Sequence, residues 1–387
     1  MPVVLGSERL IASGRLRGRR VGVVCNPASI DRSFVHILDR VVEAGAELAA
    51  IFGPQHGFRS DVQDNMVESA HAVDPRRRVP IYSLYSETRQ PTAVMLSGLD
   101  LLVIDLQDVG ARIYTFVYTM ANCLRAAAGR GLEVIVCDRP NPIGGTAVGG
   151  PMLRKGYESF VGQFPIPMRH GLTIGELARL FNDGFGIGAP LEVIPMKGWK
   201  RSYYYDDTGL PWVLPSPNMP TLDTAIVYPG TVLFEGTLIS EGRGTTRPFE
   251  LIGAPWIDAE HFAEGLNARQ LPGVHFRPAV FEPTFQKHAR VPCGGCQIHV
   301  LDRRTFEPCT VGVALLKACR RAAPSNFAWR PPPYEYEYEK LPIDILAGSP
   351  ELRLQIESDV ILDDIVAGWE PELEAFRKLR KDFLLYE

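Results

Sequence analysis

Mostly apolar segments recur through the first half of the chain, at residues 20–26, 46–52, 80–85, 99–106 and 132–137, and four of them end at or just before unusual polar groups. Strict alternation marks a half-exposed strand, whereas a continuous apolar run suits a strand covered on both faces, as in a parallel sheet. The fullest case is Leu101-Leu-Val-Ile-Asp-Leu106, apolar at every position but Asp105. Helical spacing appears between the runs. Phe34, Leu38 and Val41 recur at intervals of four and three behind a possible N-cap at Asp31, and Phe116, Met120, Cys123, Leu124 and Ala127 share one face before Gly129-Arg130-Gly131. Thr173-Ile-Gly-Glu176 is a capping box ahead of Leu177, Leu180 and Phe181. Strands and helices in alternation predict an α/β fold with a mostly parallel sheet.

The second half reads differently. Residues 211–257 are dense in proline and glycine dipeptides, among them Tyr228-Pro-Gly and Glu241-Gly-Arg243-Gly-Thr245, and no helix is expected there. Strands are expected at 274–285 and 297–301 and a helix at 311–321. Residues 330–340, with Pro331-Pro-Pro333 and the alternation Tyr334-Glu-Tyr-Glu-Tyr-Glu339, read as an extended connector. A closing helix begins near Pro371 and directs Leu373, Phe376, Leu379 and Phe383 inward.

Where the buried runs end, chemistry-bearing residues begin. Asn26 follows the first run, Gln55-His56 the second, Asp105, Gln107, Asp108 and Arg112 the fourth, and Asp138, Arg139 and Asn141 the fifth. Open parallel sheets bind ligands at their carboxyl edge, so these groups are expected to line a pocket there. The loop from Gly53 to about Val79 is too long for a simple connection and carries Gln63, Asp64, Asn65 and Glu68.

Composition narrows the function classes. With 45% hydrophobic and 22% charged residues the chain can bury a sizeable core, and a net charge of −4 leaves no basic footprint for nucleic acid. No apolar run is long enough to span a bilayer, and the first residues lack a secretory pattern, so a cytoplasmic protein is expected. Seven cysteines, an odd number in mostly apolar surroundings, fit a reducing compartment. Cys293-Gly-Gly-Cys296 has metal-like spacing, with His288 and His299 nearby, but no second pair completes a zinc site. The glycine run 184–188 follows a helix instead of opening one, so no dinucleotide site and no nucleotide cofactor are expected.

These motifs together resemble the NamZ family, exo-acting β-N-acetylmuramidases of peptidoglycan turnover formerly grouped as a domain of unknown function. The resemblance rests on Pro54-Gln-His-Gly57, Asp105-Leu-Gln-Asp-Val-Gly-Ala-Arg112, Asp138-Arg-Pro-Asn-Pro142, Arg169-His-Gly-Leu-Thr-Ile-Gly-Glu176, Pro215-Ser-Pro-Asn-Met-Pro220, Tyr228-Pro-Gly230, Glu241-Gly-Arg-Gly-Thr245 and Leu341-Pro-Ile-Asp344, in that order over nearly the whole chain. It implies a Rossmann-like N-terminal catalytic domain, 1–255, a smaller α/β domain, 256–387, an active cleft between them, action without a cofactor, and a small glycan as the only partner; the oligomeric state is left open.

One departure changes the search for the catalyst. Many members carry Pro-Glu-His-Gly where this chain has Gln55, and an amide cannot act as a general acid. The simplest replacement is Glu68, in the loop that follows. Glycoside hydrolysis ordinarily uses two carboxyl groups, and the available ones are Glu68, Asp105, Asp108, Asp138, Glu235 and Glu241. Glu68, Glu241, Asp105 and His56 are therefore the catalytic candidates. Asn26, Gln55, Gln107, Asp108, Arg112, Asp138, Arg139, Asn141, Arg169, His170, Asn218 and Arg243 are the binding candidates, with the arginines suited to the lactyl carboxylate of N-acetylmuramic acid. A non-catalytic muropeptide-binding protein and a hydrolase of another acidic sugar are the alternatives.

Overall fold

The structure, a computed structural model, describes residues 2–387 apart from Val62 and Asn65, so the Asn65 of the long loop lies outside the described residues. Among the described residues nine strands precede residue 200: β1 (Arg20–Cys25), β2 (Glu47–Gly53), β3 (Ala72–Val73), β4 (Pro80–Ser83), β5 (Leu101–Asp105), β6 (Glu133–Cys137), β7 (Gly149–Met152), β8 (Pro167–Arg169) and β9 (Leu191–Ile194). Seven of them form one sheet in the order β3-β4-β2-β1-β5-β6-β9, parallel except where β3 meets β4, and β7 and β8 form a separate antiparallel pair.

The sheet is apolar on both faces, as the unbroken runs require. Leu101 and Val103 pack with Leu38, Val41 and Ile135 on one side, whereas Leu102 and Ile104 pack with Val117, Ala121 and Phe234 on the other. From β1 the chain steps outward through β2 to β4, then returns to the other flank of β1 at β5. That reversal, between β1 and β5, is where following loops diverge and leave a crevice.

The remaining strands, β10 (Leu251–Ala254), β11 (Val274–Phe281) and β12 (Cys293–Val300), form an antiparallel sheet in the order β10-β12-β11. Cys293-Gly-Gly-Cys296 lies inside β12. A Cβ on Gly294 would stand 2.0 Å from the Ile257 carbonyl, and one on Gly295 1.9 Å from that of Ile252. The glycines are there because neighbouring backbone passes too close for any side chain. The core is continuous between the two halves: Ile104 and Val117 belong to the same apolar cluster as Ile252, Phe276 and Leu315.

Four expectations are corrected. Phe34 is 67% exposed with φ +61°, and the second helix is Ile37–Glu43, capped by His36. Asp31 instead accepts from the Ser33 and Val35 amides and pairs with Arg40, holding the turn before that helix. Within 211–257 a helix does form, Leu222–Thr231, with Pro229 inside it. It packs against the helix Pro308–Ala322, and tertiary contact overrides the breaker residues, Gly230 meeting the Pro308 carbonyl where a Cβ would stand 1.9 Å away. In the closing helix, Glu370–Arg380, Leu373 and Phe376 are buried but Leu379 is 38% exposed.

The fourth correction matters most. The segment 334–339 is not extended. Glu335 (φ +44°) and Tyr336 (φ +69°) are consecutive left-handed residues, and Tyr334 bridges to Glu337 across them. In an extended segment adjacent side chains point to opposite faces; here Tyr334 and Glu335 both point inward, 1% and 3% exposed.

Candidate active site

At the carboxyl edge of the parallel sheet the polar groups found in the sequence are buried, and most hold loops to one another. Asp105, at the end of β5, accepts from Arg139 Nε at 2.6 Å and Nη2 at 2.8 Å, and Asn26 donates to the Pro215 carbonyl at 2.9 Å. Gln107 donates to the carbonyls of Asp108 and Pro140, and Asn141 to that of Leu172. Asp108 accepts from the Gly110 amide and lies 3.2 Å from His170 Nε2. Arg112 donates to the carbonyls of Pro151, Ile166 and Leu346, and Arg169 to that of Ile143. Asp138 accepts from Thr173 Oγ1, the Gly175 amide and the Tyr386 hydroxyl. Several long loops crowd this edge, and their buried backbone groups need such partners.

A compact polar cavity opens beside this network, between the end of β2 and the second half of the chain. It is lined by Gln55 and His56, by Tyr114 and Thr115 ahead of the helix Phe116–Ala128, by Ser216 and Asn218, and by Glu235, Arg243, Tyr334 and Glu335. Of the sequence candidates, Gln55, His56, Asn218 and Arg243 line it; Asn26, Asp105, Gln107, Asp108, Arg112, Asp138, Arg139, Asn141, Arg169 and His170 are not among its lining residues. A wider groove touches Glu8, Asp31, Arg40, Glu43 and Asp105, but Asp31 and Glu43 are engaged by Arg40, Asp105 by Arg139, and Glu8 by the Leu5 amide.

The cavity holds two carboxyl groups in contrasting surroundings. Glu335 accepts from Gln55 Nε2 at 3.1 Å and from the Tyr85 hydroxyl at 2.8 Å. No cation pairs with it at salt-bridge distance among the described residues, and burial pushes its carboxyl up to about 7. Burial also acts on Glu235, but there the Arg243 guanidinium, 2.6 Å from Oε1, outweighs it. With the Tyr334 hydroxyl donating to Oε2 at 2.6 Å, Glu235 is held below the usual carboxylate range. One carboxyl is thus poised to be neutral near pH 7 and the other to be charged. Environments that separate two carboxyls in this way suit acid and base duties on one substrate.

Arg243 also approaches Glu241 (3.4 Å), which accepts from Lys287 Nζ at 2.7 Å. Its Nη1 is buried with no protein partner, a donor left for a ligand. Gln55 has a fixed orientation: Thr115 Oγ1 donates to its Oε1 at 2.7 Å, so Nε2 faces Glu335. His56 adopts φ +69°, a conformation that a side-chain-bearing residue adopts only when its surroundings enforce it.

Glu68 stands elsewhere, on the rim. Its side chain is 50% exposed and meets Arg89 at 3.2 Å and the Tyr336 hydroxyl at 3.0 Å, while the Arg89 guanidinium lies 3.5 Å from the Tyr336 ring centroid. Gln63 and Asn218 exchange hydrogen bonds, and Gln286 donates to Asp64. These contacts tie Gln63 to the lining residue Asn218 and Glu68 to Tyr336, next to the lining residue Glu335; the cavity itself measures only about 40 Å³.

Two residues central to the cavity, Tyr334 and Glu335, were not candidates from sequence. Their signal was present in the tyrosine–glutamate alternation, but alternation describes an extended strand and not the left-handed turn that forms.

Comparison with known proteins gives a consistent result over the whole chain. Residues 21–223 match the model for the N-terminal domain of exo-β-N-acetylmuramidase NamZ, and residues 226–386 match that for its C-terminal domain. The peptidoglycan β-N-acetylmuramidase NamZ of Bacillus subtilis (strain 168) is 46% identical over 373 residues, covering 96% of this chain and 88% of that protein. Two crystal structures of DUF1343 family proteins from Bacteroides fragilis superpose along the full chain, one with a TM-score of 0.90 at 35% identity and one with 0.77 at 28% identity, each covered to 99%. The chain belongs to the NamZ family.

Proposed function

We propose that this protein is an exo-β-N-acetylmuramidase, a glycoside hydrolase that releases terminal N-acetylmuramic acid from peptidoglycan fragments. The family supports the activity. The observation that carries it within this molecule is the pair of buried carboxyls facing one cavity, Glu335 placed to be neutral and Glu235 to be charged. Hydrolysis of an acetal is redox-neutral, and acidic and basic side chains with one water supply all it requires.

The substrate's lactyl carboxylate calls for a donor-rich cation, and Arg243 offers its unpartnered Nη1 at the cavity wall. Asn218 and His56 are assigned to the sugar's polar groups. The cleft is placed between the N-terminal catalytic domain, 1–255, and the C-terminal domain, 256–387. A cytoplasmic location is our reading of seven free, buried cysteines, and no helix among the described residues is long and apolar enough to cross a membrane.

The test is release of N-acetylmuramic acid from a defined disaccharide with muramic acid at the non-reducing end, alongside a chromogenic aryl β-N-acetylmuramide. Turnover of both, with the glucosamine analogues turned over far more slowly, is expected. Saturable binding by calorimetry without product from either substrate would remove the assignment.

A further inference from the structure

We propose that Glu335 is the proton donor of the reaction, doing from the second half of the chain what the amide of Gln55 cannot do, with Gln55 as its positioning residue. This rests on the glycosidase reading above. Three observations carry it.

The first is placement. Glu335 lines the cavity, is 3% exposed, and is the carboxyl directly bonded to Gln55. The second is how it is held. Two successive left-handed residues, Glu335 and Tyr336, turn the chain so that this side chain enters the cavity, and conformations of that kind persist where the surrounding structure enforces them. Thr115 fixes the Gln55 amide, and its Nε2 occupies Glu335 Oε1 as a donor. Each carboxyl oxygen of Glu335 thus accepts one hydrogen bond, Oε1 from Gln55 and Oε2 from the Tyr85 hydroxyl, which fixes the plane of the group. The amide at position 55 donates to Glu335 and cannot compete for its proton.

The third is the contrast with Glu235. That carboxylate is committed to Arg243 and Tyr334, both of which favour its charge, so it is a poor proton donor and a suitable stabiliser of the positive charge that develops on the sugar. Burial gives Glu335 the opposite bias, neutral up to about pH 7. In the reaction Glu335 gives its proton to the glycosidic oxygen as the bond from that oxygen to C1 breaks. The bonding electron pair stays on the departing oxygen, which leaves as an alcohol. A water oxygen then bonds to C1, its proton passes to solvent, and Glu335 regains a proton from solvent. Net, one water is added and nothing is oxidised or reduced.

The experiment compares wild type with Glu335→Gln and Glu335→Asp on the muramyl disaccharide and on an aryl β-N-acetylmuramide with a good leaving group. Glu335→Gln is expected to lower disaccharide kcat by about 10²–10⁴-fold, the usual contribution of a general acid. Loss on the activated aryl substrate should be within about tenfold, because a good leaving group needs little protonation. The wild-type decline of kcat/KM above about pH 7 should disappear from the Glu335→Gln profile on the aryl substrate. Calorimetric binding of N-acetylmuramic acid should be unchanged, which separates loss of chemistry from loss of fold. If Glu335→Gln does not fold, Glu335→Asp carries the test: its disaccharide rate should fall at least tenfold more than its aryl rate, and equal losses overturn the assignment. For Glu335→Gln, near-wild-type disaccharide turnover, or equal losses on both substrates, likewise overturns the role of Glu335 and leaves the glycosidase reading standing. Wild-type inactivity on both substrates would end both.

Discussion

Tyr386, one residue from the end of the sequence, donates its hydroxyl hydrogen to Asp138 at the end of β6, 2.5 Å away, and accepts from the Met196 amide at 2.7 Å. The final residues are thereby tied to the central sheet. Burial pushes the Asp138 carboxyl up to about 7 despite its hydrogen bonds. A raised folded-state value means that the stability linked to its proton is fully present below the unfolded value near 3.8 and is lost as pH rises through about 7. Tyr386→Phe removes a donor that serves the charged form. Urea unfolding should therefore show a loss of about 1–3 kcal/mol at pH 8 and a smaller one at pH 5. Equal losses at the two pH values would count against the coupling.

A carboxyl restored at position 55 should not improve this enzyme. Gln55→Glu places a second acid about 3.1 Å from Glu335. Two carboxyls that close share one proton, so the pair titrates in two separated steps. The pH–rate profile of Gln55→Glu should broaden on the alkaline side, with kcat at the wild-type optimum reduced or unchanged. A clear gain in kcat at that pH would show that the two carboxyls act independently.

Selectivity for muramic over glucosamine sugars is expected to follow one arginine. Arg243→Lys removes the planar fork and its free Nη1 and should weaken discrimination by about 1–3 kcal/mol in kcat/KM. Arg112, whose donors go to three backbone carbonyls, and Arg139, paired with Asp105, should behave otherwise. Arg139→Met strands a buried carboxylate and should cost about 3–5 kcal/mol of stability while leaving the selectivity of the surviving folded protein intact. Unchanged selectivity in Arg243→Lys would move carboxylate recognition to another group.

Glu68→Gln is expected to act on access and not on chemistry. It weakens the contact with Arg89 and Tyr336 that holds the loop down, and half-exposed ion pairs contribute about 0–1 kcal/mol. Disaccharide kcat should stay within about fivefold of wild type, with the same relative change on the aryl substrate. A loss of a hundredfold or more confined to the disaccharide would make Glu68 the acid after all.

The parallel sheet was legible because burial on both faces leaves a nearly unbroken apolar run, a signature that β1, β2, β5 and β6 carry, whereas the more peripheral β4 alternates between half-buried and buried positions. Polar residues at strand ends were also found, but sequence could not divide those that stitch loops together from those that face a cavity. Asp105 and Gln55 look alike in sequence; the difference is an arginine 34 residues away for one and a glutamate 280 residues away for the other. Glu235 was among the candidate carboxylates, whereas Glu335 was hidden by a local pattern whose meaning depends on two φ angles. The helix Leu222–Thr231 was missed for a related reason, since Pro229 and Gly230 signal a break unless packing overrides them.

The cavity draws Gln55 from near the start of the chain, Glu235 and Arg243 from its middle, and Glu335 from near its end. The parallel sheet is complete by residue 194, before either carboxyl of the cavity occurs in the sequence. The cavity therefore cannot be completed until the second half of the chain has folded onto the sheet built by the first.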